Sequence, residues 1–79
     1  MGKIDLTQLK EGESGLVMEI QGGYGLHRRL ESLGIRVGKR VTKVSSQLMR
    51  GPVTLRVDNS QIALGYGLAK KIIVKIQET

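Results

Sequence analysis

The sequence predicts a mainly β protein: a small, partly open barrel of five strands, with one short helix between the first two strands and a helical turn before the last. Three observations support this fold class. The 79 residues include 11 glycines, which indicate many tight turns. Short aliphatic runs alternate with polar residues, as in half-buried strands. The chain has 2 Tyr and no Phe or Trp, so its core must be aliphatic. The length allows a single domain, residues 1–79.

The first predicted strand covers residues 15–21. Leu16, Met18 and Ile20 occupy alternate positions in it. Because successive side chains of a strand point to opposite faces, we expect these three on the buried face. Two glycines directly after the strand are expected to end it.

A helix is predicted next. Leu26, Leu30 and Leu33 recur at i, i+4 and i+7, which is the spacing of one helical face. Gly34 can then take the left-handed conformation that ends a helix, and Ile35 can fold back onto the last turn. A helix of about two turns is not stable alone, so its leucines must pack on the sheet.

Four further strands are predicted, at residues 40–45, 53–57, 61–64 and 72–76, and the period-two alternation is clear at 53–57 and 72–76. Residues 58–60 form the predicted turn of a hairpin, in which Asn59 is suited to positive φ. The glycine-rich segment 65–71 supplies the helical turn before the last strand.

One short pattern occurs twice. Residues 23–29 and 65–71 both read Gly-Tyr-Gly-Leu, then one variable residue, then two basic residues. Each copy follows a predicted strand and enters a helical turn. We therefore expect both copies to turn a strand sharply onto a helical segment that covers an open end of the barrel.

The side chains needed for catalysis or for a metal centre are scarce. The chain has one histidine and no cysteine. His27 lies one helical turn before Glu31, a spacing that would allow a weak two-ligand metal site; the simpler interpretation is a solvated His–Glu pair. Ser32 stands at the wrong spacing from His27 for a nucleophile and its base. The sequence therefore predicts neither an enzyme nor a bound cofactor.

The net charge of +6 indicates either a solvated basic surface or an acidic partner, which would be a protein, a membrane surface or a nucleic acid. The basic residues concentrate at Arg36, Lys39, Arg40 and Lys43, with Arg28, Arg29 and Arg50 nearby in sequence. Single-strand nucleic-acid binders place aromatic rings among their cations. Since Tyr24 and Tyr66 are the only aromatic residues, a protein partner is favoured. Leu48 and Met49, apolar residues in a polar loop, either contact that partner or fold back onto the barrel.

A set of residues spread over nearly the whole chain matches a known family pattern. It comprises Leu6, Leu9-Lys10, Gly12-Glu13-Ser14-Gly15, Val17, Ile20, Gly22-Gly23, Arg28-Arg29-Leu30-Glu31, Leu33-Gly34-Ile35, Gly38, Pro52-Val53, Ile62-Ala63-Leu64, Ala69, Ile72 and Val74. In this pattern the chain resembles the FeoA family of bacterial ferrous-iron uptake. The basic-Leu-x-x-Leu-Gly element at residues 29–34 is its most diagnostic part.

The resemblance implies an SH3-like barrel, a fold that also forms the C-terminal domain of iron-dependent repressors of the diphtheria-toxin-repressor type. It further implies a small cytoplasmic adaptor, with no cofactor and no metal site of its own. The implied partner is the cytoplasmic GTP-binding region of the FeoB transporter, which the adaptor would modulate. That partner, rather than direct membrane insertion, would hold the protein at the inner face of the membrane, and no nucleic acid is expected.

The candidate partner-binding residues lie at the barrel end and on the loop before the third strand. They are Tyr24, Arg28, Arg29, Leu48, Met49 and Tyr66. Two alternative functions remain at this point. One is a small-barrel protein that binds nucleic acid, and the other is a stand-alone relative of the regulatory domain of iron-dependent repressors.

Overall fold

The computed structural model describes residues 2–45 and 49–77. In chain order the elements are β1 (Lys3–Asp5), a 3-10 turn (Leu6–Gln8), β2 (Ser14–Ile20), α1 (Tyr24–Ser32), β3 (Arg40–Ser45), β4 (Val53–Val57), β5 (Ser60–Leu64), α2 (Tyr66–Ala69) and β6 (Ile72–Gln77). The mainly β prediction, with its two helical segments, is confirmed. Strand β1 was not predicted from the sequence, because a strand of three residues is too short to show a period-two alternation. Among the described residues, no helix is long and apolar enough to cross a membrane.

The strands form one antiparallel sheet in the order β1-β6-β2-β3-β4-β5. Their inward-facing side chains meet the 3-10 turn and the helices in one core. The buried members of this core are Leu6, Leu9, Val17, Ile20, Leu30, Ile35, Val41, Val53, Leu55, Val57, Leu64, Ala69, Ile72 and Val74. All of them are aliphatic, as the composition requires.

Strand β2 buries a different face from the predicted one. Val17 is buried, Leu16 is half-buried and Met18 is exposed, so the prediction was wrong for Leu16 and Met18. Pairing with β6 is regular up to Val17 and resumes at Glu19 after a β-bulge. The bulge shifts the alternation by one residue, so that Val17 and Ile20 both face the core. A strict period-two pattern cannot show such a shift.

Helix α1 ends as predicted. Gly34 adopts φ +91°, its N–H donates to the carbonyl of Glu31 at 2.9 Å, and the N–H of Ile35 donates to the carbonyl of Leu30 at 2.9 Å. These two bonds form a Schellman motif, which brings Ile35 into the core. Leu33 was wrongly predicted on the buried stripe and is 39% exposed, because it lies just beyond the last helical residue.

The β4–β5 hairpin has a two-residue turn, since Val57 pairs with Ser60. The residue with positive φ is Asp58, at +55°, and not Asn59 as the sequence pattern indicated. The short polar side chain of Asp also tolerates this conformation. The Asp58 carboxylate forms an ion pair with Lys39 Nζ at 2.7 Å, which ties the turn to the segment before β3.

Candidate functional site

The repeated glycine–tyrosine pattern begins both helices. Gly23 is the N-cap of α1 and Gly65 is the N-cap of α2, and each is followed by a tyrosine as the first helical residue. The prediction that both copies turn a strand onto a helical segment is therefore confirmed.

Each tyrosine ring has a cation one helical turn along the chain. The Arg28 Cζ atom lies 5.8 Å from the centroid of the Tyr24 ring, and Lys70 Nζ lies 5.9 Å from the centroid of the Tyr66 ring. Residues at i and i+4 share one side of a helix, and a cation within about 6 Å of a ring is attracted by its π electrons. The two copies of the pattern therefore build the same aromatic–cation pair.

The sheet brings the ends of the two helical segments together. Ile20, the last residue of β2, pairs with Ile72, the first residue of β6. The N–H of Gln21 donates to the carbonyl of Lys71 at 2.8 Å. The chain that enters α1 is thus bonded to the chain that leaves α2, and both lie at one end of the barrel.

We name this region the tyrosine–cation surface; it comprises Tyr24, Arg28, Tyr66 and Lys70. Its two rings differ in exposure, because Tyr24 is 77% exposed and Tyr66 is half-buried. Helix α1 is held by Leu30 in the core, which leaves the ring at its first residue in solvent. A partner can cover such a ring at a low entropic cost, since tyrosine has few rotatable bonds.

The remaining candidate residues lie elsewhere. Arg29 is exposed in the last turn of α1, where a cation interacts favourably with the helix dipole. Met49 is 90% exposed, so it does not fold back onto the barrel. Its loop follows β3, whereas α1 follows the end of β2 that lies beside the start of β3, so the two lie toward opposite ends of that strand. Leu48 falls outside the described residues.

His27 joins α1 to the end of β2. Its Nε2 atom lies 3.0 Å from the carbonyl oxygen of Ile20. Because a carbonyl oxygen only accepts, Nε2 carries the proton in this bond. No ion pair links His27 to Glu31 in the part of the chain that the structure describes. Nor do those residues contain a cluster of three or more His, Asp or Glu side chains that could hold a metal ion.

Lys43 is not part of an exposed basic cluster, contrary to the prediction. It is 2% exposed and lies on the inner face of β3, where it pairs with Leu55 of β4. Its Nζ donates to the carbonyl oxygens of Leu9 at 2.8 Å and Thr7 at 3.2 Å. The sequence does contain a signal for this burial. Lys43 stands two residues after the inward-facing Val41, so both side chains point to the same face of β3.

The environment of Lys43 changes its protonation. Burial lowers the pKa of Lys43, and the carboxylates of Asp5, Glu11 and Glu13 offset part of this effect by raising it. The two hydrogen bonds of Lys43 therefore hold the 3-10 turn against the barrel interior. They also offset part of the free energy that the side chain loses when it leaves water. Lys43 contributes to the fold and does not belong to the tyrosine–cation surface.

The described residues form an SH3-like barrel in which each of the two helical segments carries an aromatic–cation pair. A family model described as FeoA domain matches residues 4–76. The chain belongs to the FeoA family, whose members are accessory proteins of ferrous iron transport.

The relatives agree with this assignment. A protein of Methanocaldococcus jannaschii, assigned as an Fe(2+) transport protein A, is 42% identical over 73 residues, which cover 92% of this chain and 87% of the relative. A crystal structure of FeoA, described as an iron uptake regulatory protein, has a TM-score of 0.87 and 27% identity, covering 98% of this chain and 100% of that one. A manganese-dependent transcriptional repressor shares the fold, with a TM-score of 0.84 and 22% identity over 95% of this chain and 42% of the repressor.

Proposed function

We propose that this protein is a cytoplasmic adaptor of ferrous iron transport, which binds the cytoplasmic GTP-binding region of an FeoB-type transporter and modulates it. Membership of the FeoA family supports the transport role. The observation that carries the binding role is the exposed Tyr24 ring, with the Arg28 guanidinium 5.8 Å from its centroid.

Tyrosine and arginine are the residues most enriched among those that dominate protein interfaces. The Tyr24 ring offers a large apolar area and a hydroxyl, and Arg28 offers a fork of donors for a carboxylate or a carbonyl of the partner. Because both belong to α1, which is anchored in the core by Leu30, they form a rigid contact. We therefore assign the centre of the interface to this pair.

The second aromatic–cation pair extends the contact. Tyr66 is half-buried and Lys70 is exposed, so this half would add charge and a smaller apolar area. Arg29, exposed beside Arg28, would steer an acidic partner toward the surface. The loop with Leu48 and Met49 would form a second contact, on a partner broad enough to span the length of β3.

The test is a titration of isotope-labelled protein with the GTP-binding domain of an FeoB-type transporter, followed by NMR. We expect shifts around residues 24–29 and 65–71. Replacement of Tyr24 by Ala should weaken binding at least about fivefold, as expected for an interface residue worth more than about 1 kcal/mol. Arg28→Glu should weaken it further, because it also repels an acidic partner.

A matched control separates a specific contact from net charge. Arg56→Glu makes the same charge change on the exposed face of β4, away from the tyrosine–cation surface, and should leave the affinity close to that of the wild type. Equal losses for Arg28→Glu and Arg56→Glu would contradict the proposed surface. Titrations with RNA and duplex DNA belong in the same series, since shifts with nucleic acid alone would favour the nucleic-acid alternative.

A further inference from the structure

The outer face of the sheet carries a row of three cations and one leucine across four strands. Lys3 of β1 pairs with Lys75 of β6, Lys75 also pairs with Leu16 of β2, and Leu16 pairs with Arg40 of β3. Residues that pair in this way lie side by side on one face of the sheet. Since neighbouring strands are about 4.8 Å apart, the row spans roughly 14 Å.

Lys3 and Lys75 are directly opposite each other, an arrangement that destabilises a strand pair. Both are exposed, and neither has an ion pair in residues 2–45 and 49–77. The neighbouring carboxylate of Asp5 accepts the backbone N–H of Thr7 instead. Asp5 and Glu19 stand in the next row of the same face, on either side of Ile73, but neither forms an ion pair with Lys3 or Lys75 among the described residues.

The row continues onto the next pair of strands. The Arg40 guanidinium donates to Ser14 Oγ at 3.3 Å, and Ser14 Oγ lies 2.7 Å from Thr42 Oγ1. Thr42 in turn pairs with the exposed Arg56 of β4. Lys3, Lys75, Arg40 and Arg56 together form what we name the outer cationic face, with the half-buried Leu16 between Lys75 and Arg40.

The chemistry of this face favours one kind of ligand. No aromatic ring lies on it, because the two tyrosines of the sequence begin α1 and α2, and single-stranded nucleic acid is bound largely by stacking on such rings. A specific protein interface would need a buried aromatic or aliphatic anchor at its centre, and Leu16 alone is small for that role. Mobile anionic headgroups need neither an aromatic ring nor a buried anchor. Basic side chains are attracted to an anionic leaflet and extend to its surface.

We propose that the outer cationic face binds the anionic headgroups of a phospholipid membrane surface, with Lys3, Lys75 and Arg40 in contact and Arg56 at the margin. The protein would lie on the surface without inserting. This contact does not involve the tyrosine–cation surface and requires no transporter, so it stands apart from the proposed function.

The test is co-sedimentation of the full chain with phosphatidylcholine vesicles, with and without phosphatidylglycerol, at about 0.1 M salt. The wild type should bind the vesicles that contain phosphatidylglycerol. The double variant Lys3→Gln/Lys75→Gln should lose roughly thirtyfold in partition coefficient, because each basic residue at the surface contributes a factor of about five. Circular dichroism and the melting temperature should remain those of the wild type.

The control is Lys10→Gln/Arg36→Gln, which has the same net charge but changes exposed residues outside the strands and helices. It should bind vesicles nearly as well as the wild type. Equal losses in the two double variants, or equal binding to vesicles without phosphatidylglycerol, would overturn the proposal. Tighter binding to duplex DNA or RNA than to vesicles at equal phosphate concentration would also overturn it. Retained vesicle binding by Arg28→Glu would show that the two surfaces act independently.

Discussion

Lys43 and Lys75 belong to the same sheet, yet one lies inside the barrel and the other lies on its outer face. Lys43 is 2% exposed and donates to two backbone carbonyls, whereas Lys75 is exposed and stands opposite Lys3. Burial lowers the pKa of Lys43, because the charged form loses its hydration. Lys75 keeps its hydration and has an uncompensated like charge beside it.

The two lysines therefore have different roles, although they are chemically identical. The inner lysine supplies hydrogen bonds to the carbonyls of Thr7 and Leu9. The outer lysine supplies charge, at some cost to the stability of the strand pair. Substitutions on the two faces of the sheet test this difference.

The largest effect is expected on the inner face next to Lys43. Leu55 pairs with Lys43 and is fully buried, so Leu55→Ala should lower the free energy of unfolding by about 2–5 kcal/mol. The adjacent Arg56→Ala, on the outer face of the same strand, should change it by less than about 0.5 kcal/mol. Urea denaturation measures both. Similar losses of stability in the two variants would contradict the placement of Leu55 on the inner face and Arg56 on the outer face of β4.

An intermediate effect is expected for Lys43 itself. Lys43→Met keeps the apolar stem but removes the donor from the carbonyls of Thr7 and Leu9, and should destabilise the protein by about 1–3 kcal/mol. Lys75→Met, the matched change on the outer face of the sheet, should have little effect on the free energy of unfolding. Hydrogen exchange should show the loss of protection concentrated at residues 5–9. An unchanged exchange pattern in that segment would argue against the fastening role.

The same variant provides a test by pH. The pKa of Lys43 in the folded protein is below its ordinary value of 10.5. Between the folded pKa and 10.5 the unfolded chain binds more protons at this residue, so the free energy of unfolding should rise with pH through that window. The stability difference between the wild type and Lys43→Met should therefore increase toward pH 10.5. A stability difference that does not change with pH would show that burial does not lower the pKa of Lys43.

The smallest effect is expected on the outer face, and it has the opposite sign. Lys3→Glu converts the like-charge pair with Lys75 into an attractive one, so the protein should gain about 0.2–1 kcal/mol in the free energy of unfolding. Binding to anionic vesicles should fall at the same time. Higher stability with weaker vesicle binding would show that the outer lysines are kept at the expense of stability. A loss of stability would contradict the direct opposition of the two charges.

Several elements could be predicted from local sequence alone. The end of α1 is one example, because Gly34 and Ile35 form the Schellman motif through contacts within six residues of each other. The repeated pattern is another, since Gly23-Tyr24 and Gly65-Tyr66 begin both helices, with a cation one turn later. Of the candidate partner residues, this pattern accounts for Tyr24, Arg28 and Tyr66.

Other features depended on strand pairing. The buried face of β2 could not be predicted, because the bulge after Val17 arises in the pairing with β6. The alternation in β3 puts Lys43 on the same face as Val41, but the carbonyls of Thr7 and Leu9 that accept from its Nζ are brought within reach only by the folding of the 3-10 turn against β3. The opposition of Lys3 and Lys75, which are 72 positions apart in the sequence, could not be predicted before β1 was paired with β6.

Local sequence was enough to predict the fold class, the aliphatic core and the starts and stops of the helices, because spacing, capping and backbone preference act over a few residues. Which lysine is buried and which cations share a face depended on the tertiary structure. Those outcomes are set by register between distant strands. A shift of one residue in register moves a side chain from the core to the solvent.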